Sequence, residues 1–192
     1  MSLFRKITFA FGLPIMMSIA TTNSAMAAAN NFTEFRAKIV GGSCDISAPS
    51  TVSVNKGAII QSDQIIAGNS PVEPLELTIS GCKGYGLTPV ITLEGNVDSA
   101  TGMPLFLAPS SSTKGYGILL TFDGNDNFKA STNLAKDMKL TAADKPWSTT
   151  MASQLNGKVT LNTAVSCGNC AAISDIQGGE LKANVTFKFA YN

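Results

Sequence analysis

The sequence predicts an all-β fold, and specifically a β-sandwich. Apolar and polar residues alternate with a period of two in several short segments, which places the apolar ones on one face of a strand. Turn residues separate these segments about every 8–12 residues. No segment keeps a helical period over three turns. Seven or more short strands separated in this way are typical of a sandwich of two sheets.

Residues 1–27 are expected to be a secretory signal peptide. Arg5 and Lys6 precede a mostly apolar run at 7–19, and a short polar bridge then ends in Ala25-Met26-Ala27. This is the three-part pattern of an export signal with an A-x-A cleavage site, expected after Ala27 with Ala29 as the alternative. The alternative is a membrane anchor, but the run is short for a span and contains Pro14.

Composition excludes several classes of function. Cleavage after residue 27 removes Arg5 and Lys6 and no acidic residue, leaving 12 of the 14 basic side chains against 13 acidic ones. A chain this close to neutrality has no basic stripe for nucleic acid. Histidine is absent, which removes the commonest general base and the commonest metal ligand. We therefore expect no enzyme activity and no cofactor.

The elements follow in chain order. Strands alternate with turns such as Asn55-Lys56-Gly57 and Gly84-Tyr85-Gly86, and the region 123–147 is the least regular. The predicted apolar segments are 33–39, 51–54, 58–60, 64–66, 74–82, 90–95, 104–109, 116–122, 138–140, 158–165 and 179–192.

The last of these segments has the plainest strand pattern. The odd-numbered residues of this segment are apolar from position 181 onward. The even-numbered residues from Glu180 to Lys188 are polar or charged, and Ala190 is the one exception among them. The apolar set is Leu181, Ala183, Val185, Phe187, Phe189 and Tyr191. A strand with so apolar a face either completes a sheet or offers its edge to another chain.

A second alternating strand lies just after the predicted cleavage site. Its inward residues are Thr33, Phe35, Ala37 and Ile39, and Glu34, Arg36 and Lys38 lie between them. Gly41-Gly42 is expected to be a flexible joint between this segment and the rest of the chain.

Four cysteines, an even number, agree with export to an oxidising compartment. Cys167-Gly168-Asn169-Cys170 has the C-x-x-C spacing of thiol oxidoreductases, yet no βαβ setting surrounds it. A zinc site would need a second close pair or histidines. The preferred interpretation is a small-loop disulfide between Cys167 and Cys170 that rigidifies the turn before the last strand.

The chain resembles subunits of chaperone–usher fimbriae, the pilins of type 1 and P pili. Gly179, fourteenth from the end, and the penultimate Tyr191 match the C-terminal pattern of that family, with alternating apolar residues between them. The T-E-F-R-A-K-I segment before the first cysteine matches the N-terminal extension, with Ala37 where the family has glycine. Cys44 and Cys82 match the family's disulfide between the first strand and a later one.

The resemblance implies an incomplete immunoglobulin-like sandwich that lacks its last strand. A periplasmic chaperone, and then the N-terminal extension of a neighbouring pilin, would supply the missing strand. It implies an extension at 28–42, with Thr33, Phe35, Ala37 and Ile39 as the donor residues, and a pilin domain at 43–192. The groove and chaperone-binding residues would be Gly179, Leu181, Ala183, Val185, Phe187, Phe189, Tyr191 and Asn192, the last through its carboxylate.

The other implied partners are an outer-membrane usher and a host-surface receptor for the assembled fibre. The implied route leads through the periplasm to a fimbrium on the cell surface, where the fibre supports adhesion. Shaft subunit, tip adaptor and assembly terminator all remain open. Two other classes also remain: a self-contained secreted β-sandwich that binds carbohydrate through Tyr85 or Trp147, and a thiol–disulfide enzyme that uses Cys167 and Cys170.

Overall fold

The structure, a computed structural model, describes residues 36, 41–170 and 176–191. The chain divides into two units, Met1–Lys38 and Ile39–Asn192, and the description below concerns the second. The predicted signal peptide and the donor residues Thr33, Phe35, Ala37 and Ile39 lie outside the described residues, as does Asn192.

The predicted all-β fold is confirmed. Strands dominate the described residues, and the two helices are short. The strands are β1 (Gly42–Ser47), β2 (Val72–Gly84), β3 (Pro89–Gly95), β4 (Val97–Asp98), β5 (Leu105–Phe106), β6 (Gly117–Thr121), β7 (Lys139–Thr141), β8 (Gly157–Ser166) and β9 (Val185–Tyr191). The helices are α1 (Ser62–Ile66) and α2 (Leu134–Asp137), and 3₁₀ turns cover Val54–Gly57, Trp147–Thr149 and Ala152–Leu155.

The strands form two antiparallel sheets. The larger has the order β1-β2-β8-β6-β5-β4, and the smaller has the order β7-β3-β9. In the larger sheet β2 pairs with β1 on one side and with β8 on the other. In the smaller sheet β3 is central and pairs with β9 from Pro89↔Tyr191 to Gly95↔Val185.

The core lies between the inner faces of the sheets. Alternate residues of β2 and β8 point inward as the period of two predicts, and Leu77 and Leu161 are fully buried. Ile91 of β3 is also fully buried, and Phe106 and Phe128 are the largest side chains enclosed. Because the core contains side chains from both sheets, it fixes which face of every strand is internal.

The last strand begins later than expected, at Val185 rather than at residue 179. The segment before it is held by a loop instead of a strand: Ala108 N–H donates to Lys182 O at 2.8 Å, and Ser112 N–H donates to Glu180 O at 2.9 Å. The alternation of half-buried and exposed side chains nevertheless continues unbroken from Leu181 to Tyr191.

Gly42 is a strand residue and not the joint that the sequence suggested. It opens β1 and pairs with Gly84 of β2. A Cβ on Gly42 would lie 2.7 Å from Leu87 Cδ1 and 3.0 Å from the Tyr191 ring. Glycine is therefore required at this position by close packing rather than by flexibility.

Both expected disulfides are present, Cys44–Cys82 and Cys167–Cys170. The register of β1 against β2 shifts between Ser43 and Asp45, so Cys44 lies at an irregularity of the ladder. A bulge redirects a side chain, and here the irregularity lies at Cys44, whose disulfide bond joins the edge strand β1 to β2.

Removing the Cys44–Cys82 bond should destabilise the domain more than removing the Cys167–Cys170 bond. The first cross-links residues 38 apart and the second residues 3 apart. Because the entropic gain grows with loop length, we expect Cys44→Ala/Cys82→Ala to lower the free energy of unfolding by about 2–4 kcal/mol, and Cys167→Ala/Cys170→Ala by about half as much. Urea unfolding followed by circular dichroism measures both. A larger loss in the second variant would contradict this assignment.

Candidate functional site

The inward side chains of β9 and of the segment just before it form a row that the core only half covers. Each of them packs against the core cluster and stays partly exposed. The row is Leu181, Ala183, Val185, Phe187, Phe189 and Tyr191. The rings of Phe189 and Tyr191 meet edge to face with centroids 5.0 Å apart. All six side chains that the sequence assigned to one face therefore do share a face.

The backbone of β9 is paired on one edge only within the described part of the chain. Leu93 N–H donates to Met138 O at 2.9 Å, so the odd-numbered residues of β3 direct their backbone groups away from β9. The even-numbered residues of β3 then pair with Thr186, Lys188 and Ala190. The N–H and C=O groups of the odd-numbered β9 residues point to the other edge, which no described strand joins.

The first strand presents a similar edge nearby. β1 pairs with β2 on one side, and no described strand pairs with its other side. Cys44 and Ile46 are half-buried and pack against the core. We refer to the surface formed by Cys44 and Ile46 of β1 and by Val185, Phe187, Phe189 and Tyr191 of β9 as the β1–β9 cleft.

The cleft is narrow at the Tyr191 end. The Tyr191 hydroxyl lies 3.2 Å from Cys44 Sγ, and the two strands approach within 8 Å between Cα atoms. Burial raises the pKa of the Tyr191 hydroxyl above its ordinary value. A cavity of about 420 Å³ opens at this end. Its lining is Gly41, Gly42, Ser43, Cys44, Leu87, Phe189, Ala190 and Tyr191.

The other end of the row is held by two serines. Ser111 Oγ donates to Lys182 O at 2.9 Å and accepts from Lys182 N–H at 3.0 Å. Ser112 Oγ accepts from Glu180 N–H at 2.8 Å. A Cβ on Gly179 would lie 2.6 Å from Ser112 Oγ and 3.0 Å from its backbone. Glycine at 179 therefore lets the chain lie against this loop, which the sequence alone did not indicate.

The outer face of β9 is charged and points to solvent. Lys188 Nζ lies 2.6 Å from Glu94 Oε1 on the paired strand β3. Both side chains are more than half exposed, so the pair adds little stability. It does mark which face of β9 is external, because a slip of one residue would move Lys188 into the core.

The Cys167–Cys170 loop is fastened to a neighbouring loop. Asn169 N–H donates to Thr101 O at 2.9 Å, and Cys167 is 1% exposed. Cys167 belongs to a small apolar cluster with Ile65 and Tyr116. A sulfur buried in this way is shielded from an attacking thiolate. The geometry favours a structural bond.

Trp147, a candidate for stacking on a sugar, is buried. It is 7% exposed, its Nε1–H donates to Ala143 O at 2.8 Å, and Lys145 Nζ lies 4.3 Å from the ring centroid. Tyr85, the other candidate, is 56% exposed. The close aromatic pair found within the described ranges is Phe189 with Tyr191, so Tyr85 is a single open ring, which is a poor platform for a sugar.

Metal and membrane sites do not appear among the described residues. No group of three or more Cys, Asp or Glu side chains in these ranges is arranged to hold a metal ion. The described ranges also contain no helix with the length and apolar composition of a membrane span. Two disulfides fit a protein of an oxidising environment.

Comparison with known proteins leaves the family open. No protein-family model matches the chain. No curated protein matches it either. The geometry of the β1–β9 cleft therefore carries the functional interpretation.

Proposed function

We propose that the protein is a structural subunit of a chaperone–usher fimbria and polymerises by donor-strand exchange. The observation that carries this proposal is the edge of β9, where a row of half-buried apolar side chains borders backbone groups that no described strand pairs. An extended segment with apolar residues at every second position satisfies both features at once.

The strand order supports an immunoglobulin-like sandwich without its last strand. In the constant-type fold, strands A, B, E and D form one sheet and C, F and G the other. The order β1-β2-β8-β6 corresponds to A-B-E-D, and β3-β9 corresponds to C-F. These six strands also occur along the chain in the sequence A to F. The position next to β9 is then the place of strand G.

The N-terminal extension of a neighbouring subunit is the proposed occupant. With Thr33, Phe35, Ala37 and Ile39 facing the row on β9, the charged residues between them stay in solvent. Full burial of Phe35 and Ile39 contributes about 1.5–3 kcal/mol each. Each backbone bond formed along β9 adds about 0.5–1.5 kcal/mol. A periplasmic chaperone would occupy the same edge before assembly, and an outer-membrane usher would host the exchange.

A strand that enters between β1 and β9 must move them apart. Two strands that flank a third are about 9.6 Å apart, twice the usual spacing in a sheet. The closest parts of β1 and β9 lie within 8 Å. Donor binding therefore breaks the contact between Cys44 and Tyr191 and opens the cavity at that end.

A peptide that copies the extension should stabilise a chain that lacks it. The test uses residues 41–192 with a peptide of residues 30–41. With the peptide in hundredfold excess over its Kd, mass action adds about 2.7 kcal/mol, which raises Tm by about 5–10 °C. Thermal unfolding followed by circular dichroism measures the shift.

The control peptide carries Phe35→Glu and Ile39→Glu and keeps the same length. It loses both large apolar contacts and should leave Tm unchanged. An equal shift with both peptides would mean that binding does not depend on the alternation, and it would contradict the proposed pairing.

A charge in the middle of the row should prevent polymerisation. Phe187 is half-buried and faces the cleft, whereas Thr186 beside it is exposed on the outer face, opposite Glu94. We expect Phe187→Lys to abolish detergent-resistant polymers when the chain is exported together with a pilus chaperone and usher. Thr186→Lys should leave them intact.

Electrophoresis without boiling, with electron microscopy of the cell surface, provides the measurement. Circular dichroism of each variant in complex with its chaperone shows that the domain is folded. Fibres formed by Phe187→Lys at the wild-type level would contradict the proposed function.

A further inference from the structure

The large apolar side chains that remain exposed are concentrated at the two ends of the sandwich. Within the described ranges these side chains are Ile59, Ile66, Val72, Tyr85, Val97 and Met151. Apart from Ile59, which lies in the loop before α1, each can be assigned to an end by the strand register. Single exposed apolar residues are ordinary, but their separation into two groups requires an explanation.

One group lies where β1 begins and β9 ends, which we call the extension end. Gly84 packs on the start of β1, since a Cβ on Gly84 would lie 2.5 Å from Gly41 O and 2.9 Å from Gly42 Cα. Tyr85 is the next residue and pairs with Met151 in an isolated bridge. Tyr85 is 56% exposed and Met151 52% exposed, so the pair forms a small apolar patch beside the point where the extension joins the domain.

The other group lies at the opposite end of the strands, which we call the far end. Val72 opens β2 and pairs with Ala164, and Val97 pairs with Phe106. The strand β6 relates the two positions along the strand direction. Phe106 pairs with Ile118 of β6, and Ala164 pairs with the next residue, Leu119. Val72 and Val97 therefore lie within about one residue of the same level. Ile66 belongs here too, because its neighbour Ile65 packs with Tyr116 and Cys167 just beyond that level.

The short connection to the extension brings the next subunit close to the extension end. This step depends on the proposed donor strand. Only Val40 and Gly41 lie between the donor residue Ile39 and Gly42 at the start of β1. Three residue steps span at most about 11 Å. The groove that holds Ile39 must therefore lie within that distance of Gly42, and the two domains touch around this point.

A growing fibre requires that the touching surfaces differ. Each accepting subunit must keep its own extension end free, because its own extension leaves from there. A contact between two extension ends would close after one pair, whereas a head-to-tail contact continues indefinitely. The accepting subunit thus presents its far end.

We infer that Tyr85 and Met151 form a subunit contact that packs against the far end, with its exposed Ile66, Val72 and Val97, of the second copy that accepts the extension. The patch has apolar complements at the far end, and the reach of the chain places it against that partner. The contact adds to the affinity of the donor strand and orients successive subunits.

Site-specific photo-cross-linking tests this contact. Tyr85 in the full-length exported chain is replaced by the photoreactive p-benzoylphenylalanine, a conservative aromatic exchange at an exposed position, and polymers are formed by refolding at high protein concentration. Thr160, exposed in the middle of β8, receives the same probe as a control. We expect covalent dimers and higher ladders from position 85 that mass spectrometry maps to the far end, around Ile66, Val72 or Val97, and none from position 160.

A truncation of the patch provides a second measurement. Tyr85→Ser/Met151→Ser should make polymers dissociate about tenfold faster, since most effects of interface changes appear in the dissociation rate. Thr160→Ser should leave that rate unchanged. Polymers that dissociate at the wild-type rate, or that cross-link equally from both positions or from neither, would overturn the contact and leave the donor strand standing. A chain that forms no polymers at all would overturn both.

Discussion

The constraint on which the structure depends is the backbone edge of β9. A strand inside a sheet pairs on both edges, but within the described residues β9 pairs only with β3. N–H and C=O groups left at such an edge are a template for another strand. The apolar row on β9 makes this edge specific, because only a segment with matching alternation places its apolar residues inside.

Other features of the fold hold that edge in place. The Cys44–Cys82 bond ties β1 to β2 next to the cleft, and Gly42 lets β1 approach the Tyr191 ring. At the other end Ser111 and Ser112 bind the backbone before β9. Both ends of the row are thus fixed by contacts distant in sequence, while its middle is supported by pairing with β3.

The sequence predicted well what depends on periodicity alone. The inward faces of β2, β8 and β9 follow from alternation, which is a local property of the chain. The start of β9 at Val185 was not predictable from the sequence. It depends on which residues pair with β3 and which, before Val185, hydrogen-bond to the Ser111–Ser112 loop instead. Gly42 was expected to be a joint, since a glycine pair signals flexibility locally, whereas its role is set by Leu87 and Tyr191 across the cleft. Trp147 is buried because it packs into the core, a tertiary contact that its loop-like local sequence did not indicate.

The closeness of β1 and β9 connects the fold to the proposed assembly. The cleft residues are half-buried, and a tyrosine hydroxyl contacts the disulfide across the gap. An open groove of full width would expose both apolar edges to water, so partial closure is the lower-energy arrangement of the empty domain. In the proposed assembly, a donor strand must first offset the loss of these contacts and then gains the burial of its own side chains and a ladder of hydrogen bonds. In that assembly the exchange would be slow to begin and, once complete, difficult to reverse.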